Sequence, residues 1–544
     1  MNLHQTLVEE LTKIISETNG ITLLETLKLL SSSDLQKRKP EAWQHFQDFQ
    51  RQVELSSLGQ KRIDQLLDLP ASQAFIDFFR SFPLKYKEEH IHLTGSLSAQ
   101  FIFPRLQKLL EGPQKEIYKK KIVEVYGNSA WPIHSVEDVA RLIQLDESEG
   151  FDTYLRILYL PKLILLDRQA HFESAFHLAE ELWNRYNVGS VRLKFMLSRA
   201  SSKSQDQIPG ADSVTSEDVL LGLAEGFWAF QKIHPDFQFV LSPSFRKERE
   251  FFDSSRFHSK KEHFEYQVNE LVQILERHPS LARVVTEVDT VGDEKNLFRK
   301  EHFNEFSRGF RKLQYRGFRI RSHHGETFYT LKKGIQAVDN AMNIWHIDTL
   351  EHGLALGINP NSYFHRIYQL VKEKNQNSLP VVEADSFYRE LVELDWGPYR
   401  PILDKLLAGL KLTEDEDTLL IKAKFHTARE VEQYQHDVLN RLIQKGVTLV
   451  TLPSSNKKLT GQFDDYKDHP FSWWEKKSVQ LGVGTDNYVT LKTDFLKEML
   501  IILLTDPFDL KITKLLMVTT GENRRPHISH LLWKMRKRVE GRLS

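Results

Sequence analysis

The sequence predicts an α/β fold, a (β/α)8 TIM barrel with helical additions. Three observations carry this: eight short strand-like runs, longer helical patterns between them, and chemistry-bearing residues gathered at the C-terminal ends of the runs. The runs are EEHIHL (88–93), SVRLKFML (190–197), FQFVLS (237–242), ARVVTEVD (282–289), FRIRSHH (318–324), HIDTLEHG (346–353), VTLVTLP (447–453) and VQLGVGTD (479–486). Strands that alternate with helices make a parallel sheet. The sixth run is short and polar, the weakest member of the set.

Before the first run, Leu3, Leu7, Leu11, Leu23, Leu24, Leu27 and Leu30 recur at helical spacing, broken by SETNG and SSSD, so residues 1–82 read as a helical N-terminal extension. Residues 83–356 hold the first part of the barrel, strands one to six. Residues 357–440 are longer than one helix needs and read as a helical insertion after the sixth strand, on the face where barrels place active sites. Its aromatic residues Tyr363, Phe364, Tyr368, Phe387, Tyr388 and Trp396 are expected to cover the pocket or to meet another subunit. A homo-oligomer built through this insertion or the N-terminal extension is therefore expected. Residues 441–544 supply strands seven and eight and the C-terminal helices.

Composition removes several function classes. The 74 basic and 74 acidic residues cancel, and a pI near 7.4 gives no global field to gather duplex nucleic acid or an anionic membrane. Cysteine is absent, which excludes disulfides, thiolate nucleophiles and cysteine-based zinc or iron–sulfur sites. Any metal must sit on histidine and carboxylate. The N-terminus lacks a basic start with an unbroken apolar run, and LRILYLPKLILLD and FLKEMLIILLTDPF are too short and too interrupted to span a bilayer. The expectation is a soluble, cytoplasmic protein.

The first run ends in His90-Ile91-His92. Residues i and i+2 of a strand face the same way, so both imidazoles point into the barrel at the catalytic end. Alone this is weak: with 22 histidines in 544 residues, about one H-x-H arises by chance. Four further strand ends supply context. His323-His324-Gly325-Glu326 closes the fifth run, and its glycine allows the sharp turn that brings the carboxylate back over the pocket. His352-Gly353 closes the sixth. Gly484-Thr485-Asp486-Asn487 closes the eighth, beside the first strand across the barrel seam. DTVGDE (289–294) follows the fourth and offers a backbone donor at Gly292. Each could be a turn or a cap taken singly. Together, imidazoles and a carboxylate suit Zn²⁺, and a left-over acid and histidine are what metal-assisted hydrolysis needs.

In this order the motifs HIH, GDE, HHGE, EHG and GTDN resemble those of the adenosine deaminase family, over about residues 82–500, and LPSSNKKLTG (452–461) resembles its seventh-strand segment. The resemblance implies that His90, His92, His323 and Asp486 hold one zinc per chain. It implies that Glu326 delivers a proton to purine N1, that His352 orients and helps deprotonate the attacking water, and that the Gly292 amide meets N3. The implied activity is hydrolytic deamination of an adenine nucleoside or its 5′-monophosphate, a small-molecule substrate. Enzymes that edit bases in nucleic acids use a cysteine-containing zinc signature, which this chain lacks.

Three positions depart from the pattern. Thr94 stands where the family usually has an aspartate that grips the 5′-hydroxyl, so a 5′-phosphate meets no repulsion there. Asn487 replaces an aspartate at N7 and can donate to an unprotonated ring nitrogen. His324 replaces an alanine and reads as a wall residue turned away from the metal. The loop 244–263 carries Arg246, Lys247, Arg249, Arg256, Lys260 and Lys261, a candidate phosphate clamp or a solvated face. Another mononuclear amidohydrolase, acting on a different amino-purine or on a nucleotide such as ATP, is the nearest alternative. A retired scaffold barrel is the second, although all six metal and catalytic residues are present.

Overall fold

Eight parallel strands pair in strict chain order in the structure, a computed structural model that describes residues 3–17, 20–146, 150–197, 208–210 and 214–539. They are β1 (Tyr86–His92), β2 (Val188–Met196), β3 (Gln238–Arg246), β4 (Glu287–Val291), β5 (Arg319–His324), β6 (Thr349–His352), β7 (Thr448–Thr451) and β8 (Leu481–Val483). The ring closes just beyond β8: the Asp486 N–H donates to the His90 carbonyl at 2.9 Å and the His92 N–H donates to the Asp486 carbonyl at 2.9 Å. This is the predicted TIM barrel with helical additions.

Two strand boundaries differ most from expectation. The third strand continues to Arg246, because Gln238–Ser244 pair residue by residue with Ser190–Met196 of β2. The fourth begins at Glu287 rather than at 282, because Leu281–Arg283 form a 3₁₀ turn after the helix Lys260–Arg277. The short sixth run does become a strand, and all four of its residues are buried.

The helices Leu3–Glu17, Leu23–Leu30, Ser33–Arg38, Pro40–Ser57 and Pro70–Arg80 precede β1. They share one apolar core with the barrel, and the Ile512 N–H donates to the Ile21 carbonyl at 3.0 Å, tying the two chain ends together. Between β6 and β7 lie Pro360–Gln376, Tyr388–Val392, Arg400–Leu407 and Glu414–Gln444. The last is one continuous helix of 31 residues, opened by a Thr413/Glu416 capping box with four acids in its first turn, so the chain has no break near residue 440. Tyr363, Phe364, Tyr368, Phe387 and Trp396 are buried within this chain, and Tyr388 is partly buried against the same core. The segment braces the loop after β5: the buried Glu390 carboxyl receives the Leu331 N–H at 2.8 Å and the Tyr363 hydroxyl at 2.9 Å.

A second long excursion joins β1 to β2 and holds the helices Ala99–Glu111, Lys115–Tyr126, Val136–Ile143, Phe151–Ile157, Tyr159–Lys162 and Arg168–Arg185. Among the described residues, no helix is long and apolar enough to cross a membrane.

Candidate metal centre

His90 and His92, two apart on β1, turn their rings to the same side, and His323 reaches the same point from β5. His90 Nε2 lies 3.1 Å from His92 Nε2, which lies 3.2 Å from His323 Nε2. Asp486 Oδ1 stands 3.5 Å from His92 Nε2 and 3.8 Å from His90 Nε2. Two nitrogens bound tetrahedrally to one zinc at about 2.05 Å are separated by about 3.3 Å, so this donor set fits a single ion. Burial pushes the His92 imidazole down to about 3 and holds those of His90 and His323 well below their usual value, so all three are neutral, the form a metal requires. The Asp486 carboxyl is fixed at both oxygens. Oδ2 accepts from the Ser455 hydroxyl at 2.6 Å and Oδ1 from the Asn487 amide at 2.6 Å.

A carboxylate floor decides which ring nitrogens face the ion. Glu351 Oε2 lies 2.8 Å from His90 Nδ1, and Asp289 Oδ2 lies 3.0 Å from His323 Nδ1. A carboxylate can only accept there, so both Nδ1 atoms carry the proton and both Nε2 atoms present lone pairs. The floor is itself neutralised. Lys194, fully buried on β2 opposite His92, lies 3.1 Å from Asp289 and 2.9 Å from Glu351, while Arg321 Nε meets Glu351 at 2.5 Å. Burial drives the Glu351 carboxyl up, but Arg321, Lys194 and His90 outweigh it and hold it well below the usual range. None of Lys194, Asp289, Arg321 or Glu351 was singled out from the sequence. Their signal was charge at even spacing inside strand runs, as in Glu287 and Asp289, which in a closed barrel of parallel strands means paired charges in the interior.

Glu326 and His352 stand on the same rim. The nearest ligand atoms of Glu326, His352 and Asp486 lie within 4.8 Å of one another. His352 Nδ1 is 3.7 Å from Glu326 Oε1, and its ring centroid is 5.1 Å from that of His323. Burial, reinforced by the Glu294 charge, pushes the Glu326 carboxyl up to about 8, so it carries a proton near neutral pH. Its loop is gripped by Glu294, whose carboxylate accepts the N–H groups of Gly325, Glu326 and Thr327 at 3.1, 2.7 and 2.9 Å. Gly325 has φ +70°, and a side chain there would press on Val338 and Ala355, so the expected glycine turn is required. His352 and Asp486 themselves adopt left-handed backbone, φ +64° and +61°, a strained conformation that aims both side chains at the pocket.

The residues expected on the substrate side are placed as follows. Thr94 is half-buried in the turn after β1. Gly292 has φ +106° and packs against the Glu248 carboxylate. The Asn487 amide nitrogen donates to Asp486 and to the Tyr154 hydroxyl, so that donor is already engaged. Tyr154 comes from the β1–β2 excursion and was missed, since nothing local marks it. Arg246 pairs with Glu248, with Nε 2.9 Å from Oε2, and lies over Phe251. Lys247 turns inward to the His323 carbonyl, Arg249 pairs with Glu305 and the Lys260 ammonium donates to the Phe251 carbonyl, so the basic loop spends these charges on the protein. His324 faces the helical layer between Phe303 and Trp345, as a wall residue should.

No protein-family profile and no curated protein matches the sequence. Among solved structures, the chain is similar to an adenine deaminase from Arthrobacter aurescens (14% identity, 84% of this chain and 99% of that one, TM-score 0.49). It is similar to the N6-methyl-AMP deaminase of Arabidopsis thaliana (12% identity, 86% and 98%, TM-score 0.47) and to a zinc-bound amidohydrolase from Burkholderia ambifaria (12% identity, 86% and 95%, TM-score 0.45). At that distance these likenesses carry neither an activity nor a substrate to this chain.

Proposed function

We propose that this chain is a mononuclear zinc-dependent hydrolase that deaminates an adenine nucleoside or its 5′-monophosphate. The observation that supports this best is the convergence of three neutral Nε2 atoms and one carboxylate on a single point, with a protonated Glu326 and His352 beside it. His90, His92, His323 and Asp486 would hold the ion. When bound, zinc supplies a Lewis acid that makes water acidic enough to attack at neutral pH.

The chain's own residues account for the rest. Water oxygen adds to C6, the C6–N6 bond breaks, and the two water protons end on N1 and on departing ammonia. Glu326, buried and protonated, gives the proton to N1 that makes C6 electrophilic; the carboxylate left behind can accept a proton from the attacking water and pass it to the leaving nitrogen, which restores the acid. His352 orients the attacking oxygen. Asp289 and Glu351 hold the ligand rings, and Glu294 holds the Glu326 loop. Thr94 admits a 5′-phosphate without repelling it, while Arg246, engaged with Glu248, gives no support for a phosphate clamp; nucleoside and monophosphate both remain within the proposal. The substrate is a small molecule in a soluble, cytoplasmic setting.

The test is ammonia release from adenosine, deoxyadenosine, AMP, dAMP and ATP by zinc-loaded protein, with elemental analysis of the metal. One zinc per chain and turnover of at least one nucleoside or monophosphate is the expected result. No ammonia from any of the five, or two metals per chain, refutes it.

A further inference from the structure

Behind His352 lies a buried polar chain that none of the roles above uses. His352 Nδ1 is 2.9 Å from the Asn456 side-chain amide, whose other end is 3.2 Å from His469 Nε2; Thr451 Oγ1 is also 3.2 Å from that nitrogen. Asn456 and Thr451 are fully buried, and His352 and His469 nearly so. At the far end the Phe471 backbone N–H donates to His469 Nδ1 at 3.3 Å.

That last contact fixes the proton count. A backbone N–H is always a donor, so His469 Nδ1 must be a lone pair. Burial keeps the His469 ring neutral, and a neutral imidazole carries one proton, which therefore sits on Nε2. Nε2–H needs acceptors, which are Thr451 Oγ1 and one end of the Asn456 amide. With Asn456 Oδ1 turned toward His352, an N–H of Nδ2 is set against the N–H of His469. The two ends of a carboxamide are nearly equal in size, so hydrogen-bond chemistry assigns them. Exchanging them satisfies every member: Oδ1 accepts from His469, and Nδ2 donates to His352 Nδ1.

We propose that His469 and Asn456 are positioning residues that set the tautomer of His352, presenting it to the metal pocket with its proton on Nε2. His352 is then a hydrogen-bond donor that orients the attacking oxygen, not an acceptor of its proton. This deepens the proposed function by changing the role of one residue, and its direct test does not depend on turnover.

Neutron diffraction from deuterated, zinc-loaded crystals should place a deuteron on His352 Nε2 and on His469 Nε2; a deuteron on His352 Nδ1 overturns the proposal. Asn456→Asp supplies acceptors at both ends and forces the His352 proton to Nδ1. It should lower kcat at least tenfold with KM within about twofold, and zinc content should be unchanged. An Asn456→Asp enzyme as fast as the wild type, or faster, also overturns the relay. If that variant does not fold, the deuteron position decides alone. A wild-type protein inactive on every adenine compound defeats the proposed function and leaves the deuteron test standing.

Discussion

Replacing Glu351 with glutamine should damage both metal binding and folding, by amounts that can be worked out from its contacts. The carboxylate serves three partners: His90 Nδ1 at 2.8 Å, Lys194 Nζ at 2.9 Å and Arg321 Nε at 2.5 Å. At an effective dielectric near 20, each of the two cations gains roughly 6 kcal/mol of gross attraction, most of it offset by the cost of burying the charges. Glutamine keeps the shape and removes the charge, leaving Lys194 to Asp289 alone and Arg321 to Glu89 and Glu287 at 3.7 and 3.6 Å. Breaking a buried pair from one side costs about 3–5 kcal/mol, so the loss of unfolding free energy should fall in that range. Lys194 and Arg321 claim the single amide oxygen and turn the amide NH2 toward His90, so the His90 ring loses the acceptor that orients it, which weakens zinc by about 10–100-fold. Asp289→Asn is the milder comparison, because its amide oxygen can still accept from His323 and Lys194 keeps Glu351. The assays are urea unfolding of the metal-free protein and zinc competition against a chromophoric chelator. A Glu351→Gln protein that unfolds within about 1 kcal/mol of wild type and holds zinc as tightly would refute the idea that this floor orients the ligands.

Further outcomes follow from other contacts. Glu326→Gln should retain zinc and lose about 10²–10⁴ in kcat, because an amide has no proton to give; retained turnover with metal bound contradicts the assignment. In the wild type the acid form of Glu326 is lost as pH rises through about 8 in the free protein, so kcat/KM should fall on the alkaline side, and a kcat/KM flat to pH 10 argues against Glu326 as the acid. Glu390 makes a stability prediction. Burial raises its carboxyl from 4.5 to about 7, so between those values the unfolded chain is ionised while the folded chain holds a proton. Unfolding then releases a proton, and stability declines with rising pH across this window by roughly 3 kcal/mol. Glu390→Gln should flatten that slope in chemical unfolding at pH 5, 6 and 7. Thr94→Asp should oppose a 5′-phosphate by about 4 kcal/mol at about 4 Å and an effective dielectric near 20. It should suppress AMP or dAMP turnover and spare the nucleosides, whereas equal loss on both would make Thr94 a bystander.

The eight strand runs, their order and the residues at their C-terminal ends were legible in the sequence, because each is a local pattern. Period-two placement puts His90 and His92 on one face, and a glycine after His323-His324 allows only a tight turn. Barrel topology then carries those ends to one mouth without further information. Tertiary structure alone decided what surrounds them. Lys194, Asp289, Arg321 and Glu351 lie on four different strands, and their pairing depends on barrel closure and register, which no single run encodes. Tyr154 meets Asn487 across 333 residues of chain and His352 meets Asn456 across 104, separations at which only the packed fold selects partners. The basic loop after β3 illustrates the converse. Its cations read as a clamp by composition, yet Glu248, Glu305 and the His323 and Phe251 carbonyls claim four of them, because a charge near the barrel mouth is stabilised most by the partner that is already desolvated beside it.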